Sequence, residues 1–117
     1  MPISDAKAYA VGEVVIVPFP FTDRLAEKRR PALVVSGKRL NHAGLIWVIM
    51  ITSSKRTDLP GDTPILNRST AGLDVDCLVR PAKIASMEAV RIVRRIGKLD
   101  NPELRKIMKT VRSFFDA

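Results

Sequence analysis

Histidine and cysteine are nearly absent from this chain, with one of each, His42 and Cys77, in 117 residues. A single cysteine excludes an internal disulfide and any cysteine-based metal cluster. A single histidine excludes acid–base chemistry by a histidine pair, and His42 sits in a predicted turn, where a solvated side chain is the simple reading. The sequence also has no glycine-rich phosphate loop, no H-E-x-x-H and no C-x-x-C pair, so neither a metal nor a cofactor is expected. The longest apolar run, "LIWVIMI" from Leu45 to Ile51, falls far short of the roughly 20 residues of a spanning helix. The start, "MPISDAKAYA", has no apolar signal-peptide core. A cytoplasmic protein in a reducing compartment is the expectation. Negative charge is scarce as well. Twelve acidic residues face 20 Lys and Arg, a net charge of +8. Any catalysis must therefore use Arg, Lys, Thr, Ser, Asp or Glu.

The composition is globular, 46% hydrophobic and 27% charged, and the length suits one compact domain able to fold alone. Residues 1–10 read as a poorly specified N-terminal segment and residues 11–117 as the domain. An excess of positive charge on so small a body attracts polyanions: nucleic acid, an acidic partner protein or an anionic membrane surface.

Along the chain, "GEVVIVPFPF" is a β-branched run with aromatic ends and predicts a strand, with Pro18 and Pro20 arguing against a central position late in it. A basic loop follows. "PALVVSG" predicts a second strand, opened by Pro31, where a missing N–H does least harm. "GKRLNHAG" reads as a turn and "LIWVIMITSS" as a buried third strand. "LPGDTP" is punctuation, and "ILNRSTAGLD" a short strand and loop. "DCLVRPAKI" and "VRIVRRIGKL" are further strands. In "NPELRKIMKTVRSFFDA", Asn101 is the expected helix cap, Pro102 the first helical residue, and Glu103 sits beside the positive helix end. Leu104, Ile107, Met108, Val111, Phe114 and Phe115 keep helical spacing and predict a core-facing stripe. The pattern implies a mainly β fold, a small barrel with a packed C-terminal α-helix.

Three clusters carry chemistry. The first is "FPFTDRLAEKRRPALVVS", which places Arg24, Lys28, Arg29 and Arg30 in one stretch ahead of Pro31. The second is Thr52-Ser53-Ser54 with Lys55 and Arg56, where an apolar strand ends in hydroxyls. The third is Arg80, between Val79 and Pro81 in an apolar run. Each has a plain reading: a solvated charge run, a turn with local side-chain bonds, and an arginine paired with Asp74 or Asp76 because a buried unpaired charge is costly. Brought together at strand ends, two arginines and a hydroxyl would make an anion clamp, since the guanidinium fork matches phosphate oxygens. RNA carries its own nucleophile, the 2′-hydroxyl, so cutting it requires mainly positioning and charge stabilisation.

In order, "GEVVIVPFPFTD", "KRRPALVVS", "ITSS" and "LVRPAKI", followed by a C-terminal helix, resemble the MazF/PemK (Kid-like) toxins of type II toxin–antitoxin systems. The resemblance spans about residues 11 to 115. It implies an SH3-like barrel of the PemK/CcdB type, a homodimer, that cleaves single-stranded RNA as an mRNA interferase and is neutralised by an acidic antitoxin. It assigns catalysis to Arg30, Thr52 and Arg80, with Ser53 beside them. Arg24, Lys28, Arg29, Ser53, Ser54 and Lys55 are then the RNA-binding residues, the loop from Thr22 to Arg29 forming a basic lip. The sequence departs from the family at Ala82, where the PemK-like branch has an aspartate. Either Arg30 and Thr52 suffice, or a carboxylate such as Glu13 or Asp23 substitutes, or activity is low. The rival reading is a non-catalytic module on the same barrel, in the manner of the gyrase-inhibiting toxins.

Overall fold

A computed structural model of the chain describes residues 8–19, 28–53 and 58–115. Six strands form one sheet: β1 (Glu13–Phe19), β2 (Lys28–Val34), β3 (Leu45–Thr52), β4 (Thr63–Pro64), β5 (Leu78–Glu88) and β6 (Arg94–Lys98). Their order is β4-β5-β3-β2-β1-β6, and every pairing is antiparallel. A short helix, α1 (Lys38–His42), joins β2 to β3, and the longer α2 (Asn101–Ser113) closes the chain. The architecture is the expected one, a curled β half-barrel with a packed C-terminal helix.

Alternation along the strands produces two cores, one on each face of the sheet. Val14, Leu33, Ile49, Ile51 and Val79 face α2 and pack with its Ile107 and Val111. Val15, Val17, Ala32, Val34, Ile46 and Val48 face the other way and meet Ala89 and Ile92. Irregularities make the curl possible. The register of β1 against β6 shifts between Val14, opposite Gly97, and Val15, opposite Arg95, which leaves Ile96 as an extra residue on β6. In β5 the register jumps from Ile49↔Ile84 to Met50↔Arg80. Pro81, Ala82 and Lys83 are thus extra residues in that strand, and such a bulge bends it.

Several boundaries differ from the sequence expectations, each for a local reason. β2 starts at Lys28 rather than Pro31, because its ladder with β1 continues through Arg30, Arg29 and Lys28 to Phe19. "GKRLNHAG" contains the helical turn α1 and not only a turn. The short strand expected in "ILNRSTAGLD" falls earlier, at Thr63–Pro64. β6 is preceded by a turn of 3₁₀ helix at Ala89–Arg91. The N-cap of α2 is Asp100, with Asn101 already helical. Asp100 accepts a hydrogen bond from Asn67 Nδ2 at 3.0 Å. Leu104, Ile107, Met108 and Val111 do join the core. Phe114 and Phe115 do not: they lie past the last turn and are exposed. Pro18 behaves as expected of a proline, since β1 pairs with β6 only over Glu13 to Ile16.

No helix among the described residues is long and apolar enough to cross a membrane.

Candidate active site

The two apolar rows of the second core end in polar residues. On β2 the row Val34, Ala32 continues to Arg30; on β3 the row Ile46, Val48, Met50 continues to Thr52. The strands pair as Ala32↔Met50, Leu33↔Ile49 and Val34↔Val48. Extending that register by two residues sets Arg30 across from Thr52 on the same face. Both side chains are half-buried.

Pro31 explains why the ladder stops just before this pair. The Val35 N–H donates to the Trp47 carbonyl, whereas the Val34 carbonyl accepts from the Gly12 N–H. Odd-numbered residues of β2 therefore turn their backbone groups toward β3, and even-numbered ones toward β1. Proline at position 31 removes a donor on the β3 side only. Pairing with β1 survives to Lys28, while bridged pairs with β3 end at Ala32. Arg30 thus keeps a firm backbone on one side while β2 is released from β3 on the other.

Arg80 belongs to the next row of the same face. It lies across from Met50, which puts it diagonal to Thr52, about 7–8 Å between backbone positions in a regular sheet. Its guanidinium is held neither by Asp74 nor by Asp76, the partners weighed from sequence. Asp76 is instead 3.6 Å from Arg68. Arg80 pairs with Asp62, Nε to Oδ1 at 3.2 Å and Nη2 to Oδ2 at 3.1 Å. Sequence reasoning did not single out Asp62. The one hint was the Pro60-Gly61 step, a turn signal that seats Asp62 just before β4.

The remaining residues sort by position. Lys28 and Arg29 are exposed, but in β2 rather than in a lip. Strand alternation sends Lys28 to the Arg30 face and Arg29 to the opposite one. Ser53 is exposed just beyond β3. Arg24, Ser54 and Lys55, like Asp23, lie outside the described residues. Ala82 is exposed in the β5 bulge and carries no carboxylate. Glu13 cannot take the place of one: it begins β1, away from the Arg30 end, and is bound to Arg95 Nε at 2.8 Å and to the Ala10 N–H at 2.8 Å. His42 is exposed on α1, at the far end of β2 and β3 from Arg30. Cys77 is buried in the α2-side core, and burial first, then the neighbouring Asp76 charge, push its thiol pKa up. Burial and that shift both make it a poor nucleophile. Among the described residues, no three His, Cys, Asp or Glu side chains gather as a metal site.

A family model described as PemK-like, MazF-like toxin of type II toxin–antitoxin system matches residues 10–115. The chain belongs to this family. One curated relative is the endoribonuclease MazF9 of Mycobacterium tuberculosis, 32% identical over 97 residues, covering 78% of this chain and 81% of the relative. The solved structure of MazF from Deinococcus radiodurans superposes with a TM-score of 0.71 at 23% identity, covering 91% of this chain and 94% of that one. A mycobacterial endoribonuclease solved in complex with its cognate antitoxin also superposes with a TM-score of 0.71, at 17% identity and covering 91% and 93% of the two chains. At those identities the structures speak for the fold. Within this MazF-like barrel, the Arg30, Thr52 and Arg80 rows occupy one face at one end of the sheet.

Proposed function

We infer that this chain is an endoribonuclease toxin that cuts single-stranded RNA in the cytoplasm, works as a homodimer, and is held inactive by an acidic antitoxin. The observation that supports the reading is the β2–β3 register, which, extended two residues past Ala32↔Met50, brings Arg30 across from Thr52. The named activity of the mycobacterial relative supports it.

In the proposed reaction the 2′-oxygen of one nucleotide attacks the adjacent phosphorus. A P–O2′ bond forms, the P–O5′ bond breaks, the 2′-hydroxyl loses its proton and the 5′-oxygen gains one. The products are a 2′,3′-cyclic phosphate and a 5′-hydroxyl. Arg30 offers its planar fork to the non-bridging oxygens, where charge grows in the transition state. Thr52 offers a hydroxyl on the same phosphate. An antitoxin segment rich in carboxylates would compete for the same cations; a disordered chain of that kind orders on binding and covers a large surface.

The test is incubation of the purified protein with single-stranded RNA of mixed sequence in EDTA. Fragments ending in 2′,3′-cyclic phosphate or 3′-phosphate are expected. RNA bound but left intact would return the non-catalytic module.

Binding and chemistry should separate at β2. Lys28→Ala is expected to lower the salt dependence of RNA binding by about 0.7 in log–log slope, one phosphate contact to a single strand. Arg29→Ala, on the opposite face, should change the slope less. Neither should alter the single-turnover rate at saturating RNA. Binding isotherms across a salt series check this, and equal slopes for Lys28→Ala and the parent protein would remove Lys28 from the interface.

A further inference from the structure

Asp62 is a buried carboxylate paired with Arg80, and its surroundings are built in detail. The turn Leu59-Pro60-Gly61-Asp62 closes with the Asp62 N–H donating to the Leu59 carbonyl at 3.1 Å. Gly61 takes φ +84°, and proline followed by a positive-φ glycine is the sequence of a type II turn. The Leu59 N–H in turn donates to Asp62 Oδ2 at 3.0 Å. β4 then pairs as Thr63↔Val79 and Pro64↔Leu78, and stepping that register back by one sets Asp62 across from Arg80. The Asp62 side chain is fully buried and that of Arg80 only 14% exposed.

We propose that Asp62 is a positioning residue for Arg80, fixing its guanidinium plane so that it faces phosphate bound between Arg30 and Thr52. The inference rests on the nuclease reading above. Both carboxylate oxygens are engaged, one with Arg80 Nε, the other with Arg80 Nη2 and the Leu59 N–H. A carboxylate so buried and so occupied is not placed to exchange a proton with RNA. It does fix two torsions of a long side chain that would otherwise sample many rotamers. The pair is close to neutral overall, so Arg80 adds directional hydrogen bonding more than long-range attraction. Lys28 and Arg30 carry the attraction. Position 82 of the same strand is an alanine; here the acidic partner of Arg80 comes from the turn before β4.

The experiment measures single-turnover cleavage and half-saturating RNA concentration for Asp62→Asn, Arg80→Ala and the double variant, each confirmed folded by circular dichroism. Asp62→Asn is expected to lower the rate constant by about 10²-fold, the scale of a misplacement of about 1 Å, with half-saturation changed less than about threefold. The double variant should match Arg80→Ala alone, because Asp62 acts only through Arg80. Arg80→Lys keeps a cation against Asp62 and covers the case in which Asp62→Asn fails to fold. It should lose as much rate as Arg80→Ala, since an ammonium cannot reproduce the fork. An Asp62→Asn rate within twofold of the parent, losses that multiply in the double variant, or an active Arg80→Lys would each overturn the proposal. In all three cases the parent still cuts RNA and the nuclease reading stands. A parent that cuts no RNA overturns both.

Discussion

Arg30→Ala is expected to lower the single-turnover rate of RNA cleavage by about 10²–10³-fold, the usual cost of one preorganised transition-state donor. Folding should be little affected. The Arg30 side chain is half-buried at the end of the second core, and its backbone pairs with Val17 whatever the side chain is. Arg30→Lys should fail nearly as badly, because a point charge cannot grip two phosphate oxygens in one plane. Thr52→Ala should show a loss of the same order from the other strand. Rates at saturating RNA, read beside melting temperatures, check the claim. An Arg30→Ala protein cutting at the parent rate would place the chemistry elsewhere.

Gly97→Ala should have a large effect on stability. Gly97 lies in β6 opposite Val14, and the loop through Ala71 runs directly over it. A Cβ at position 97 would sit 2.4 Å from the Ala71 carbonyl carbon and 2.5 Å from the carbonyl oxygens of Ala71 and Thr70. All three are backbone atoms, so no side-chain rotation relieves the contact. Ala71 is itself fully buried in the α2-side core, and the Lys98 N–H donates to Thr70 O at 3.1 Å, holding the loop down. The loop or β6 must move, at a cost of about 3 kcal/mol, the upper end of the usual range for overpacking. For a domain near this size that is a fall in melting temperature of more than about 10 °C. Thermal unfolding by circular dichroism reads it; a shift of only a few degrees would mean that the loop is not packed as described.

These two residues mark what a reader of the sequence can and cannot find. Arg30 is legible because it stands out locally: an arginine before a proline, next to a β-branched run. Thr52 is legible for the same reason, as a hydroxyl ending an apolar strand. Their meeting is legible only through family resemblance, since it depends on the register of β2 against β3. The role of Pro31 was half visible. Proline signals the loss of a hydrogen bond, but only the pairing shows that the loss falls on the β3 side and spares β1. Asp62 was hidden because β4 is two residues long, too short to leave a pattern, and its partner Arg80 is 18 positions away. Phe114 and Phe115 misled for the opposite reason. Their spacing continues the helical stripe, yet α2 ends at Ser113 and leaves them beyond the core's edge. Periodicity reports a face of a helix but not where the helix stops. Gly97 gave no local sign at all, since a glycine tolerated in a strand and one required by a crossing loop look alike in sequence.

The claim at the centre of this account is that the RNA supplies the nucleophile and the protein supplies position and charge. It is tested most directly by replacing the 2′-hydroxyls of a cleaved oligonucleotide with hydrogen, base sequence unchanged, and measuring binding and single-turnover cleavage side by side. The phosphates proposed to meet Arg30, Lys28 and Arg80 remain, so binding should persist, while the attacking oxygen is gone and no cleavage should be seen. Cleavage of the deoxy oligonucleotide at the parent rate would contradict the account, because water or a protein group would then have to be the nucleophile.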